Sequence, residues 1–163
     1  VIRECFKLKA EIKWPNDIYI KGKKVCGILT EINTKSEIID FIILGIGINV
    51  NFNPKIYPEI ADFATSLSFE KGTKISRSKF IIYFLQKLEE EYERLKEKKF
   101  DELRNKWDTY SCFLGKTVVI ESFENIYQGQ AIDVDKEGAL IIRNKEGQLE
   151  KILCGDIKVK SII

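Results

Sequence analysis

The clearest alternation along the chain lies between Ile42 and Asn51. Because successive side chains of a β-strand point to opposite faces, its even-numbered positions form one face that is wholly apolar. The opposite face carries two glycines followed by two carboxamides, namely Gly45, Gly47, Asn49 and Asn51. Glycine inside a strand often marks the close approach of a ligand or of another backbone. We therefore predict a strand with one core face and one bare face, which either receives a ligand or lies against a helix.

Two further strands are predicted immediately upstream. The Trp14-Pro15 pair excludes a helix interior, because proline lacks an N–H and favours extended geometry at the residue before it. Residues 18–20 then suit a short strand, residues 21–24 a hairpin turn, and residues 25–32 the return strand. The pattern predicts a three-stranded surface that ends at Asn51.

A possible anion site lies at the turn of this hairpin. Gly27, a third glycine in the predicted sheet, follows Lys24 by a few residues. A lysine beside bare backbone supplies a point charge and access to N–H groups, which is what an anionic ligand needs. The alternative is that Lys24 is a solvated lysine of the turn. Asp17, considered by itself, would be a turn residue whose side chain hydrogen-bonds its own backbone.

Helices are predicted between the sheet and the C-terminal third. Residues 1–10 suit the last turns of a helix, and residues 59–68 suit a short helix that ends near Thr65-Ser66-Leu67. Ser76 is a predicted N-cap, and residues 100–107 suit a further short helix. The long helix after Ser76 is predicted to face the core with Ile81, Phe84, Leu85, Leu88, Tyr92 and Leu95.

From residue 114 the pattern changes to short strands separated by glycine turns, which indicates a small β-barrel. The predicted strands are 117–120, 127–134, 139–143, 148–153 and 157–162. The fold class is therefore α+β, with a mixed or antiparallel sheet and packed helices before the barrel. A nucleic-acid-binding or peptide-binding barrel is the alternative, but mixed charges and the lack of an aromatic cluster argue against oligonucleotide stacking.

Composition excludes several classes of protein. The 163 residues carry a formal net charge of +2, which predicts neither a nucleic-acid nor a membrane surface. The chain has four scattered cysteines and no histidine, so we expect neither a common zinc site nor an imidazole base. We expect reduced thiols in a cytoplasmic protein. The absence of methionine leads us to expect a fragment, a processed chain or a truncated protein.

Three motifs in order give the sequence a family resemblance. Lys13–Asp17, Lys24–Leu29 and Gly45–Asn51 read KWPND, KVCGIL and GIGINVN, and together they resemble the catalytic domain of biotin protein ligases, also called biotin–[acetyl-CoA-carboxylase] ligases. The resemblance implies a class II synthetase-like fold, incomplete here, over residues 1–113. It also implies an SH3-like module over residues 114–163. The Thr65-Ser66-Leu67 run is a further feature of the resemblance.

The resemblance also implies a reaction and its cofactors. Such ligases join biotin to ATP, giving biotinyl-5′-AMP and pyrophosphate. They then transfer the biotinyl group to a lysine on the biotin carboxyl carrier domain of acetyl-CoA carboxylase or of another biotin-dependent carboxylase. Neither step strictly needs a nucleophilic side chain of the enzyme; both need anions brought together and charge neutralised.

Residue roles follow from the same resemblance. Lys24 would bridge the biotin carboxylate and the α-phosphate, with Asn16 and Asp17 at the phosphates and Mg²⁺ near Asp17. The biotin pocket would be lined by Gly27, Leu29, Gly45 and Gly47. Asn49 would read the adenine edge, whereas Trp14 is expected in the core.

Departures from the family pattern define the alternatives. The family's glycine- and arginine-rich loop, its other biotin contacts and any DNA-binding domain should lie upstream of these motifs. We therefore expect an unpaired sheet edge, self-association and impaired ligase activity, without a nucleic-acid or membrane partner. The alternatives are a non-catalytic fragment that binds biotin, adenylate or a protein, and a lipoate ligase-like enzyme, although the KWPND string and the terminal barrel favour biotin.

Overall fold

A computed structural model describes residues 1–122 and 125–159 of the chain. It is an α+β structure with two antiparallel sheets, which confirms the predicted fold class. The chain forms two compact units: Val1–Ala10 with Asn16–Lys87, and Glu11–Pro15 with Leu88–Ile163. The domain boundary expected between residues 113 and 114 stays a prediction. In the described residues, no helix combines the length and the apolar character needed to cross a membrane.

The elements follow one another along the chain with short connections. The helices are α1 Ile2–Phe6, α2 Leu67–Lys71, α3 Arg77–Lys96 and α4 Phe100–Tyr110, with a 3₁₀ turn at Pro54–Ile56. The strands are β1 Ala10–Lys13, β2 Asp17–Ile20, β3 Lys23–Lys35, β4 Ile38–Ile48, β5 Thr117–Glu121, β6 Ile126–Val134, β7 Leu140–Arg143, β8 Leu149–Ile152 and β9 Asp156–Val159.

The turn between β2 and β3 contains two residues, not the four that were predicted. Lys21 and Gly22 have φ of 50° and 76°, which is the pair of positive values that a tight hairpin turn uses to match strand twist. Lys24 therefore lies inside β3, where it pairs with Tyr19 of β2. Because Lys24 lies in a strand, the strand geometry sets the direction of its side chain. A residue in a turn would have no such fixed direction.

The hairpin of β3 and β4 is longer than predicted and turns later. β3 continues to Lys35, and the reversal occurs at Ser36 and Glu37, which have φ of 51° and 65°. In this register Gly27 lies opposite Gly47 and Leu29 opposite Gly45. The two glycines of the predicted bare face and Gly27 of the neighbouring strand thus meet in one patch of the sheet.

The core of the first unit lies at one end of this hairpin. Buried side chains of the strands, of α2 and α3 and of the connection between these helices form it, namely Ala10, Ile20, Val25, Cys26, Leu67, Ile75 and Phe80. Ile46, Ile48 and Val50 pack against this cluster, as the alternation predicts. Ile42 and Leu44 do not, with 56% and 48% of their surface exposed. The apolar face is therefore core only where a neighbouring element covers it.

Two helix predictions are wrong in part. In α3, Phe80 is buried and Phe84 is partly buried, but the rest of the predicted core stripe is exposed, namely Ile81, Leu85, Leu88, Tyr92 and Leu95. Residues 59–63 form turns, and α2 begins only at Leu67 behind the Ser66 cap. The cause is tertiary, because the backbone of residues 63–65 bonds to a strand and cannot also complete helical turns. At the start of the chain, α1 ends at Phe6 and β1 follows it.

The second unit holds a sheet in the order β8-β7-β6-β5-β9. Among residues 1–122 and 125–159 no ladder joins β8 to β9, so the small barrel-like module is not closed. The last predicted strand is described as far as Val159, and its residues 160–162 lie outside the described residues. Trp14 is core, as predicted: it is 3% exposed and its indole N–H donates to the Gly138 carbonyl at 2.9 Å.

Candidate ligand site on the first sheet

A cavity of about 560 Å³ lies on the sheet of the first unit. It is lined by Asn16, Asp17, Lys24, Gly27, Ile28, Leu29, Gly45, Ile46 and Gly47. Seven of these nine residues were predicted as site residues from the sequence. The structure therefore brings together side chains and bare backbone that are up to 31 positions apart in the chain.

The floor of the cavity is bare backbone with open space above it. A Cβ atom added at Gly47 would have the Gly27 carbonyl oxygen as its nearest neighbour, at 3.8 Å. One added at Gly45 would lie 3.6 Å from the Leu29 carbonyl oxygen. Around both glycines, the described residues supply no helix atom within 4 Å. Close helix packing therefore does not explain these glycines, whereas room for a ligand does.

The ammonium group of Lys24 lies over the third glycine. Its Nζ is 2.6 Å from Asp17 Oδ1, and a Cβ at Gly27 would be 3.0 Å from Lys24 Cε and 3.3 Å from that carboxylate oxygen. The Lys24 side chain is 44% exposed. A partly exposed ion pair contributes little to stability, so the ammonium can turn to an anionic ligand at small cost.

Asn16 is held at the edge of the cavity by its strand neighbour. Its side-chain nitrogen donates to the Ile28 carbonyl at 2.7 Å, and its own carbonyl accepts from the Ile28 N–H at 2.9 Å. Asp17, the next residue, pairs with Gly27 in the β2–β3 ladder. The Asn16-Asp17 pair is therefore fixed next to Lys24 by backbone pairing and not by loop packing.

Asn49 is the predicted site residue that does not line the cavity. It follows β4, its N–H donates to the Val25 carbonyl at 2.9 Å, and its side-chain nitrogen donates to the Thr65 carbonyl at 3.1 Å. Ile28 and Ile46 line the cavity without having been predicted. Alternation assigned Ile46 to the core face, and Ile46 does pack against the core cluster; it also borders the cavity because it lies between Gly45 and Gly47.

A metal site made by the protein alone does not fit this cavity. In the described part of the chain, no group of three His, Cys, Asp or Glu side chains could hold a metal ion. Asp17 is the single carboxylate among the lining residues. Magnesium commonly binds through one or two carboxylates together with substrate phosphates and water, so Asp17 fits a magnesium ion that arrives with a phosphate ligand.

The thiol of Cys26 reports on the burial beneath this floor. Burial and the negative charge of Asp17 raise the pKa of the Cys26 thiol, and the positive charge of Lys24 partly lowers it. The result is a pKa of about 11. Because the thiolate is the nucleophile, we expect Cys26 at pH 8 to react with iodoacetamide about 100-fold more slowly than an ordinary exposed thiol. Peptide mass spectrometry with the exposed Cys5 and Cys154 as internal controls measures this ratio. Equal labelling of all three would contradict the described packing.

The fold and site together define a class of protein. The β-sheet presents bare backbone at Gly45 and Gly47 with the Lys24 ammonium beside it, a geometry that suits a flat small molecule carrying an anionic group. Two family models match the chain: the "Biotin/lipoate A/B protein ligase family" over residues 3–49 and the "Biotin protein ligase C terminal domain" over residues 113–160.

Known proteins give the same assignment. The bifunctional ligase/repressor BirA of Bacillus subtilis is 37% identical over 159 residues, which cover 97% of this chain and 49% of that protein. The apo structure of biotin protein ligase from Aquifex aeolicus has 32% identity and a TM-score of 0.84, covering 98% of this chain and 68% of that one. The same ligase in complex with biotin and ATP has 31% identity and a TM-score of 0.81, covering 98% and 65%.

The chain belongs to the biotin protein ligase family. It spans about half the length of several curated relatives that it matches, 49% in the case of the Bacillus subtilis protein.

Proposed function

We propose that this chain carries the ligand floor of a biotin protein ligase. The enzyme would activate biotin with ATP to biotinyl-5′-AMP and transfer the biotinyl group to a lysine of a biotin carboxyl carrier domain, in acetyl-CoA carboxylase or another biotin-dependent carboxylase. The observation that carries the proposal is the Lys24 ammonium beside the glycine floor, 2.6 Å from Asp17. A relative with 31% identity has been solved in complex with biotin and ATP, which supports the ligand assignment.

Lys24 is the residue on which both partial reactions would depend. In the first step a biotin carboxylate oxygen attacks the α-phosphorus of ATP, and the bond to pyrophosphate breaks. Both groups are anionic, so they approach only where positive charge offsets their repulsion. In the second step the carrier lysine amine attacks the acyl carbon and AMP leaves. Lys24 would hold the carboxylate and the α-phosphate together before the reaction and stabilise the charge on the phosphate during it.

The other residues would position the ligand. Gly45 and Gly47 leave backbone exposed for the fused rings of biotin, with Leu29 at their side, and Gly27 leaves room for the Lys24 side chain that lies over it. Asn16 and Asp17 would face the phosphates, where Asp17 could hold a magnesium ion that supplies further positive charge. Asn49 would read the adenine edge through its carboxamide, because an amide offers both a donor and an acceptor.

Binding of a stable reaction intermediate tests this proposal. We expect isothermal titration to show a 1:1 complex with a non-hydrolysable biotinyl-AMP analogue, and a weaker complex with the lipoyl-AMP analogue. Tighter binding of the lipoyl analogue would favour a lipoate ligase-like enzyme. Binding without any biotinyl-5′-AMP formed from biotin, ATP and Mg²⁺ would favour the non-catalytic alternative, and no binding of either analogue would refute the proposal.

A second copy of the chain is the partner that we propose for the outer edge of β4. In the first unit β4 is the outermost strand in the described order, so one row of its N–H and C=O groups has no strand beside it. Six large apolar residues of this strand are between 48% and 72% exposed: Ile38, Ile39, Phe41, Ile42, Ile43 and Leu44. Antiparallel pairing of two β4 edges would be isologous and would close after two copies.

Analytical ultracentrifugation checks this proposal. We expect a monomer–dimer equilibrium in which Ile42→Lys raises the dimer dissociation constant at least about tenfold. The reason is that each of the two copies would bury one lysine charge in the interface. Leu149→Lys is the control, since Leu149 is 63% exposed on β8, the edge strand of the other sheet. A wild-type chain that stays monomeric at high concentration, or equal effects of both variants, would count against β4 pairing.

The compartment is proposed on chemical grounds. All four cysteines are free, which suits a reducing environment such as the cytoplasm, where biotin-dependent carboxylases would meet the ligase.

A further inference from the structure

The Thr65-Ser66-Leu67 run is buried to an unusual degree for a polar segment. All three residues are 0% exposed, although Thr65 and Ser66 lie between elements and Leu67 is only the first residue of α2. Burying a hydroxyl costs free energy unless it is hydrogen-bonded, so each polar group here needs a partner. The Ser66 hydroxyl donates to the Phe52 carbonyl at 2.6 Å and accepts from the Phe69 N–H as the cap of α2. Ser66 is thereby explained by its local structure.

Thr65 joins two residues of the proposed ligand site. Its N–H donates to the Lys24 carbonyl at 2.8 Å, and its carbonyl accepts from the Asn49 side chain at 3.1 Å. On the other side of Lys24, the Lys24 N–H donates to the Phe63 carbonyl at 2.8 Å. Thr65 is therefore hydrogen-bonded both to the residue proposed to hold the anions and to the carboxamide proposed to read adenine, whose backbone is itself bonded to Val25 of β3.

The side chain of Thr65 is held in turn by Glu70. The Thr65 hydroxyl donates to Glu70 Oε1 at 2.7 Å, and Glu70 Oε2 pairs with Lys21 Nζ at 2.9 Å. The Glu70 side chain is only 7% exposed, and Lys21 belongs to the hairpin turn that leads into Lys24. One carboxylate thus connects α2, the buried run and the hairpin of the site.

The charge on Glu70 is maintained by these same partners. Burial by itself would raise the pKa of the carboxyl group, but the hydrogen bonds from Thr65 and Lys21, with the charges of Lys21 and Lys23, hold it below its usual range. Glu70 is therefore ionised at neutral pH and accepts both bonds at once.

We propose that Glu70 is a positioning residue of the ligand site, which acts through Thr65 to orient the Asn49 carboxamide relative to Lys24. It touches no reacting atom, because neither Glu70 nor Thr65 lines the cavity. The proposal rests on the proposed function for the roles of Lys24 and Asn49. It predicts that Glu70 matters for a ligand that spans both residues and matters little for one that reaches only Lys24.

Comparison of two ligands tests this inference on the full chain. With Glu70→Ala, we expect affinity for the non-hydrolysable biotinyl-AMP analogue to fall about tenfold, the size expected for lost buried hydrogen bonds. Affinity for biotin alone, which needs only the floor and Lys24, should change less than about twofold by the same reasoning. Glu70→Gln keeps an acceptor for Thr65 and loses only the charge facing Lys21, so the analogue should weaken only about threefold.

Amide hydrogen exchange measured by NMR supplies a readout that does not depend on ligand binding. We expect the Thr65 N–H to exchange about tenfold faster in Glu70→Ala than in the wild type. Glu93→Gln is the matched control, because Glu93 pairs with Lys96 on the exposed surface of α3. It should leave both affinities and the Thr65 exchange rate unchanged.

The possible outcomes separate the inference from the proposed function. Equal weakening of biotin and analogue in Glu70→Ala would mean general destabilisation and would overturn the positioning role, as would unchanged Thr65 exchange. If Glu70→Ala does not fold, Glu70→Gln decides, and an unaltered analogue affinity there refutes the inference. If the wild type binds neither ligand, the proposed function fails, and the Thr65 exchange rate still shows whether Glu70 holds the bridge.

Discussion

Replacing Lys24 with alanine is expected to slow biotinyl-5′-AMP formation about 100- to 1000-fold, the loss typical when one preorganised charge-stabilising group is removed from an active site. The reason is that the ammonium is the one cation among the residues that line the described cavity, and both ligand anions would meet there. Quenched-flow or radiolabelled ATP assays measure the rate, and titration with the biotinyl-AMP analogue measures the accompanying loss of affinity.

A second lysine of the same strand controls for the change in net charge. Lys35 ends β3 far from the cavity and is exposed, so Lys35→Ala should behave as the wild type does. Thermal unfolding should be nearly equal in the two variants, because the Lys24–Asp17 pair is partly exposed and contributes little to the free energy of unfolding. Adenylate formation that survives in Lys24→Ala would remove Lys24 from the mechanism.

Replacing Gly47 with valine is expected to weaken binding of the biotinyl-AMP analogue at least about 100-fold, or roughly 2.7 kcal/mol, while the chain stays folded. The Cβ would have the Gly27 carbonyl oxygen at 3.8 Å as its nearest neighbour, which is an ordinary contact, so the strand itself accepts the side chain. Valine also favours strands over glycine. The added methyl groups would occupy the space in which the ligand is proposed to lie.

The contrast between binding and stability makes this substitution informative. We expect the melting temperature of Gly47→Val to equal or exceed that of the wild type, as measured by circular dichroism. Thr30→Val introduces the same side chain on β3 outside the lining residues and should bind the analogue normally. A Gly47→Val chain that binds like the wild type would show that no ligand rests on this floor.

Local patterns predicted the site better than they predicted the core. The glycine face of β4 was visible because side chains alternate with period two and glycine lacks the side chain that would cover the backbone. The tight turn at Lys21-Gly22 was likewise a local feature, although the sequence did not fix its length. Burial could not be predicted from the local pattern in the same way. Ile42 and Leu44 continue the apolar face of β4, yet 56% and 48% of their surface is exposed, because no other element of the described residues packs over them.

The Thr65 bridge illustrates what sequence reasoning could not reach. The sequence predicts that this run lies within or just after a short helix over residues 59–68. Its backbone instead bonds to Lys24, which is 41 positions away, and such partners cannot be read from local propensity. The sequence offers no signal for Glu70, since a glutamate in a short helix is not distinctive until its neighbours in space are known.

By itself the sequence determined three strands of the first sheet (β2, β3 and β4, but not β1), the bare glycine face, the strand-rich C-terminal third and the family, because each of these depends on residues close together along the chain. The tertiary structure alone decided that Lys24 lies over Gly27, that Asn49 lies outside the cavity, and that Thr65 and Glu70 connect them. Those relationships depend on strand register and on contacts between distant residues, where a shift of one position would turn every side chain to the other face.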